Sequence, residues 1–254
     1  MNDEFYIGWE AKAAPGIGKT VRRAVLVLLL IAVVVPVALA VSQRLIGVGV
    51  FEWGTIKKFS GVLQISPYPH LLVPRPGATS GQAAFSTYYL VAPFKHGLDA
   101  EKLAALDGRP VSLQGTLIYR GDQTMVEALP DSIKATGEKP ISLPGEGTIG
   151  LGRQTLRGEI VDSKCFLGVM NPGQLLPHRA CAIRCISGGI PPVLLVRSPA
   201  GPAIYLLLVS AEGKPVNQDV LDLVAEPVEI TGEVERQGER LILRADPTTY
   251  HRIE

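Results

Sequence analysis

Two stretches of the chain carry the same order of apolar runs, turns and glycines, and this internal repeat limits the possible folds more than any other feature. The first runs from about Phe59 to Lys134: FSGVLQIS, then STYYLVAP, the helix-like DAEKLAALDG, and RPVSLQGTLIYRGDQTMVEA. The second runs from about Leu156 to Ile253: LRGEIVDS, then PVLLVRS and AIYLLLVS, the helix-like NQDVLDLVA, and EPVEITGEVERQGERLILRA. Gly61 matches Gly158 in the opening runs, and Pro110-Val111-x-Leu113-x-Gly115 matches Pro227-Val228-x-Ile230-x-Gly232. Gly121 and Gly238 then fall where each copy needs a tight hairpin turn, a place where positive φ is cheap only for glycine.

Each copy reads as three strands, a short helix and two strands. That order predicts a mainly β chain with two tandem five-stranded Greek-key barrels of the OB type, a β-sandwich being the competing fold. The first barrel is expected over residues 56–135 and the second over 155–254, with a Gly-, Pro- and Lys-rich linker over 136–154. With 254 residues, 46% of them hydrophobic, the chain has material for two modest cores, and 27 glycines with 20 prolines suit many turns and short strands.

Ahead of the repeat lies AVLVLLLIAVVVPVALAV, Ala24 to Val41, which carries no charge. At about 1.5 Å per residue it reaches about 27 Å, close to the thickness of a bilayer core. The expectation is a cytoplasmic leader over 1–23 and a transmembrane helix over 24–45, in which Pro36 is tolerated as membrane helices tolerate it. Ala38-Leu39-Ala40 also fits a signal-peptide cleavage site, the competing reading of the same run. Lys12, Lys19, Arg22 and Arg23 precede the run closely, whereas Arg44, Lys57 and Lys58 follow at greater distance. The positive-inside rule then predicts a single-pass protein of the cell inner membrane, with the N-terminus cytoplasmic and the barrels periplasmic or otherwise extracytoplasmic. Trp9 and Trp53 are candidates for the two membrane interfaces, or ordinary packing residues. The expected partners are the lipid bilayer and a membrane protein. A formal net charge of +1 argues against nucleic acid.

All three cysteines, Cys165, Cys181 and Cys185, lie in one insertion between the first and second strands of the second copy, together with His178. The spacing C-x12-H-x2-C-x3-C supplies a complete tetrahedral donor set for Zn or Cu, and Met170 offers an extra thioether that favours Cu⁺. A helix over 177–187 would bring His178, Cys181 and Cys185 to one face, with Cys165 closing the site from the preceding strand. Two other readings use the same residues. Cys165 could form a disulfide with Cys181 or Cys185, leaving one spare thiol in an oxidising compartment. A Cys181 or Cys185 thiolate could act with His178 as base and Asp162 as its orienting carboxylate, although no oxyanion or other catalytic motif accompanies them. Asp162 alone reads as a turn residue. Arg179 and Arg184 flank the thiols, and His70, His96 and His251 read as solvated loop histidines. Tyr88-Tyr89 reads either as a stacking platform or as alternating strand burial.

The residues Val161-Asp162-Ser163-x-Cys165, His178-x-x-Cys181-x3-Cys185 and Gly188-Gly189 resemble a group of small secreted or membrane-anchored bacterial β-barrel domains. Those share a V-D-x-x-C opening and a C-x3-C followed by Gly-Gly. The resemblance covers about residues 156–250, the length of one OB domain, and implies fold and compartment. The expected role is an accessory or assembly subunit rather than an enzyme, carrying a Cys₃His site. A copper- or thiol-redox-handling protein is the alternative.

Overall fold

A computed structural model describes residues 14–44, 49–75, 84–137, 148–197 and 203–253. The first unit holds α1 (Pro15–Arg44), which begins earlier than the expected residue 24. Proline at a helix start costs little, because its missing N–H would have no helical partner there. The helix runs through Pro36 and is long and apolar enough to cross a membrane. Trp9 lies outside the described residues.

The second unit, Gly49–Glu254, contains both copies of the repeat. Its first part comprises β1 (Val50–Phe51), β2 (Lys57–Gln64), β3 (His70–Pro74), β4 (Phe85–Val91), α2 (Ala100–Leu103), β5 (Pro110–Arg120), β6 (Gln123–Ala128) and β7 (Lys134–Ala135). β2, β3, β4, β6 and β5 follow one another around a ring that closes from β5 back to β2, with only β4 and β6 parallel. The second part comprises β8 (Thr148–Asp162), α3 (Arg179–Ser187), β9 (Pro192–Val196), β10 (Ile204–Val209), β11 (Pro227–Gln237), β12 (Arg240–Arg244) and β13 (His251–Arg252). Here β8, β9, β10, β12 and β11 close in the same order, again with one parallel pair, β10 and β12. The chain thus forms two closed five-stranded β-barrels of equal topology.

The repeated glycines have a shared physical cause. A Cβ on Gly61 would lie 2.5 Å from the Leu72 carbonyl oxygen, and one on Gly158 would lie 2.6 Å from that of Leu195. Each opening strand therefore passes its neighbour too closely for a side chain. Gly121 and Gly238, at φ +60° and +58°, make the two-residue turns of β5–β6 and β11–β12.

Two expectations give way here. Residues 148–154, read as linker, are strand. They are exposed, with Gly150 and Gly152 beside Ile149 and Leu151, so they bury no apolar face, and pairing with β11 makes the strand. NQDVLDLVA of the second copy is a turn with a 3₁₀ segment at Leu221–Leu223, not an α-helix. Its valines and aspartates are weak helix formers.

Leu63, Leu71, Leu90, Val111, Leu113 and Val126 fill the first barrel, and Ile160, Leu194, Leu206, Leu208, Val228 and Ile230 fill the second. The alternate residues are also buried. Tyr89, Val91, Ile118 and Met125 meet Val161, Val193, Leu195, Leu207 and Val209 in a third cluster that joins the two barrels. Strands with two apolar faces carry continuous runs such as YLLLV instead of alternation. Each such side chain contributes about 1.5–3 kcal/mol when fully buried. Tyr68 ties the barrels further, its hydroxyl accepting from Val216 N at 3.1 Å.

His70, read as a solvated loop residue, is buried in β3, where Nδ1 lies 2.9 Å from the Tyr68 carbonyl oxygen and donates to it. Burial lowers its pKa from 6.5 to about 3. The folded state thus resists a proton that the unfolded chain accepts, so His70 leaves stability intact above pH 6.5 and reduces it as the pH falls from there towards 3. Urea unfolding of the detergent-solubilised protein across this window should show wild type losing up to about 1.4 kcal/mol per pH unit more than His70→Asn. Parallel curves for the two proteins would refute this assignment.

Candidate metal centre

The site begins where β8 ends. Asp162 is fully buried, and its Oδ1 accepts the Cys165 backbone N–H at 2.7 Å, turning the chain out of the strand. Cys165 then opens a π-helical turn, Cys165–Val169, rather than closing the site from within the strand. Phe166 and Leu167 of this turn fill the junction between the barrels, and Arg120 of the first barrel donates to the Phe166 carbonyl at 2.7 Å. The chain returns through Pro177 and His178 into α3. There Ala182 and Ile186 face the second barrel's core, while Cys185 joins the inter-barrel cluster and the partly buried Cys181 packs against it.

The first barrel reaches into the same place. Lys164, the residue before Cys165, is buried, and its Nζ meets Glu127 Oε2 at 2.5 Å, the Phe94 carbonyl at 2.6 Å and that of Ala92 at 2.9 Å. Phe94 is held at φ +62°, a conformation rare for an aromatic residue, and the residue is 83% exposed. Next to it, Lys95 donates from Nζ to Cys181 Sγ at 2.7 Å, a contact that raises the lysine pKa. Gly97 N donates to the Gly188 carbonyl at 2.9 Å, pinning this loop to the end of α3.

The three cysteines are free thiols. Cys165 Sγ and Cys185 Sγ stand 4.0 Å apart, about twice the ~2.05 Å of a disulfide, so the disulfide alternative is not the state seen. In this pair Cys165 hydrogen-bonds to Cys185, which pushes the Cys165 thiol up, with burial adding to it, and draws Cys185 down. The donor atoms of Cys165, His178 and Cys181 lie within 4.8 Å of one another, as do those of Asp162, Cys165 and Cys185. Cys165 is common to both groups. Sulfurs on a tetrahedral Zn²⁺ with bonds of about 2.3 Å stand about 3.8 Å apart, close to the 4.0 Å between Cys165 and Cys185.

Comparison with protein-family models, curated proteins and solved structures finds no match to this chain.

Of the expected residues, Cys165, His178, Cys181 and Cys185 gather in this cluster, and Met170 lines a cavity of about 420 Å³ beside the thiols. Arg184 lines that cavity too, whereas Arg179 turns away to Glu226 and the Asp222 carbonyl. Asp162 does make the expected turn contact, and it does more: its Oδ2 lies 2.9 Å from His178 Nε2. A carboxylate there makes Nε2 the protonated nitrogen and leaves the Nδ1 lone pair as donor, the pairing typical of metal-bound histidines. Lys95 and Lys164 carried no signal of their own, since only the docking of the barrels brings Lys95 to the thiols.

Lys164→Met would leave the part-buried Glu127 without its counter-charge and should destabilise the protein by at most roughly 3–5 kcal/mol. In urea denaturation, the Lys164→Met/Glu127→Leu double variant should recover part of that loss. Simple additivity would show that the pair does not join the barrels.

Proposed function

We propose that this chain is a membrane-anchored, extracytoplasmic binding protein for one soft or borderline metal ion, Zn²⁺ or Cu⁺, serving a membrane partner as an accessory or assembly subunit. The observation that carries this reading is the gathering of three thiols, the His178 imidazole and the Asp162 carboxylate into two overlapping donor groups that share Cys165. Sulfur and imidazole suit these ions better than they suit hard cations such as Mg²⁺ or Ca²⁺. The charges agree as well. Zn²⁺ with two thiolates and a neutral imidazole is uncharged, and a third thiolate makes it an anion that Lys95, 2.7 Å from Cys181, would offset.

The closed ring of five strands, with the third and fifth parallel and the insertion after the first, supports reading both barrels as OB-like. Lys19, Arg22 and Arg23 near the start of α1 support an N-terminus on the cytoplasmic side. Thiol-redox handling is the second reading, favoured by the 4.0 Å contact of Cys165 and Cys185 sulfurs.

Metal analysis and thiol counting on the full-length protein, purified without oxygen, separate the two. About one equivalent of Zn or Cu, with the thiols shielded from alkylation until a chelator is added, is expected. Asp162→Asn should lower metal affinity roughly 10- to 100-fold. Failure to bind added Zn²⁺ or Cu⁺, with ready formation of a Cys165–Cys185 disulfide in air, would favour redox handling instead.

A further inference from the structure

Among the described residues, the donors do not gather as one quartet within 4.8 Å of one another. They fall into two triads that share only Cys165. The two sides of this arrangement also differ. Cys165, Cys181 and Cys185 line the cavity of about 420 Å³, while His178 and Asp162 are buried and are not among its walls. An ion seated on Cys165, Cys181 and His178 would have three protein ligands and one face towards the cavity. Structural zinc sites are closed by four protein ligands, whereas sites that exchange ligands or do chemistry keep a position free.

What could fill that position follows from the walls. Lys95, His96 and Arg184 line the cavity, and none of its lining residues is acidic. Lys164 also lines it, but its Nζ is committed to the Glu127 carboxylate, whereas that of Lys95 is held at Cys181, one of the ion's own ligands. His96 and Arg184 are solvent-exposed, so they stand where a ligand from solution would meet them. The volume lies within the range of small-molecule pockets, and at about 30 Å³ per water it holds far more than a single solvent molecule. An uncharged metal centre beside the Lys95 ammonium and the Arg184 guanidinium attracts an anion, to which His96 offers a further hydrogen bond, and a cavity without carboxylates offers that anion no repulsion.

We propose that the metal site keeps one coordination position open to this cavity and binds there a small anion from solution, drawn in by Lys95, His96 and Arg184 of the two barrels. This rests on the metal-site reading above. The anion donates a lone pair to the ion and leaves by the same route, with no bond broken in the protein. The first barrel then has a part in the second barrel's chemistry: its loop at residues 94–96 forms one wall of the ligand site.

The test loads the full-length protein, in detergent and without oxygen, with Co²⁺ as a spectroscopic substitute for Zn²⁺, and titrates it with thiocyanate at constant ionic strength. A thiolate-to-cobalt charge-transfer band is expected on loading, followed by a saturable change in the cobalt d–d bands as thiocyanate binds. His96→Gln/Arg184→Met should weaken thiocyanate binding roughly fivefold. Cobalt loading, in which neither side chain is a ligand, serves as the control for folding. A charge-transfer band with d–d bands indifferent to thiocyanate would overturn the open position while leaving the metal site standing. Absence of the charge-transfer band would overturn the metal site itself. Thiocyanate binding unchanged in the double variant would overturn the role of the cationic rim.

Discussion

The burial of one ammonium group, that of Lys164, organises much of this molecule. An amine taken out of water costs several kcal/mol unless its charge and its donors are met. Lys164 meets them entirely on the first barrel, with the Glu127 carboxylate and the carbonyls of Ala92 and Phe94 around Nζ. The residue after it is Cys165, shared by both donor groups. One side chain therefore fixes the start of the insertion, docks it on the neighbouring barrel and holds the loop that carries Lys95. Replacing it by an apolar residue alone cannot preserve that arrangement, because Glu127 would keep its charge.

The apolar packing depends on the same junction. In an isolated barrel, Leu207, Val209, Val193 and Leu195 would face water from the outer surface of their strands. Here they face Tyr89, Val91, Ile118 and Met125 of the other barrel. The second copy can carry its long insertion because Phe166 and Leu167 fill this junction and do not hang from a surface loop. The cysteines thus sit at a boundary, with apolar packing on one side and a cavity rimmed by cationic groups on the other.

Much of the fold was legible because the repeat rests on local chemistry. Close strand crossings demanded glycine at 61 and 158, and tight hairpins demanded it at 121 and 238. The cluster was legible for the same reason, since the thiols and His178 lie within a short span and α3 sets Cys181 and Cys185 one turn apart. What stayed hidden depends on contacts between distant parts. Lys95 reaches Cys181 only through barrel docking, and His70 looked solvated because proline-rich flanks conceal a strand buried by Tyr89 and its neighbours. The docking had a trace in sequence. AIYLLLVS and PVLLVRS are continuously apolar, which a barrel with one solvated face does not require. Residues 148–154 show the reverse case, a strand made by its partner and not by its own pattern.

A metal held by the residues around Cys165 would make the insertion a functional element and not merely a filling between barrels. X-ray absorption at the zinc edge of the zinc-loaded full-length protein tests this most directly. A shell of at least two sulfurs at about 2.3 Å with nitrogen at about 2.0–2.1 Å is expected. A first shell of nitrogen and oxygen alone, with no sulfur, would contradict it.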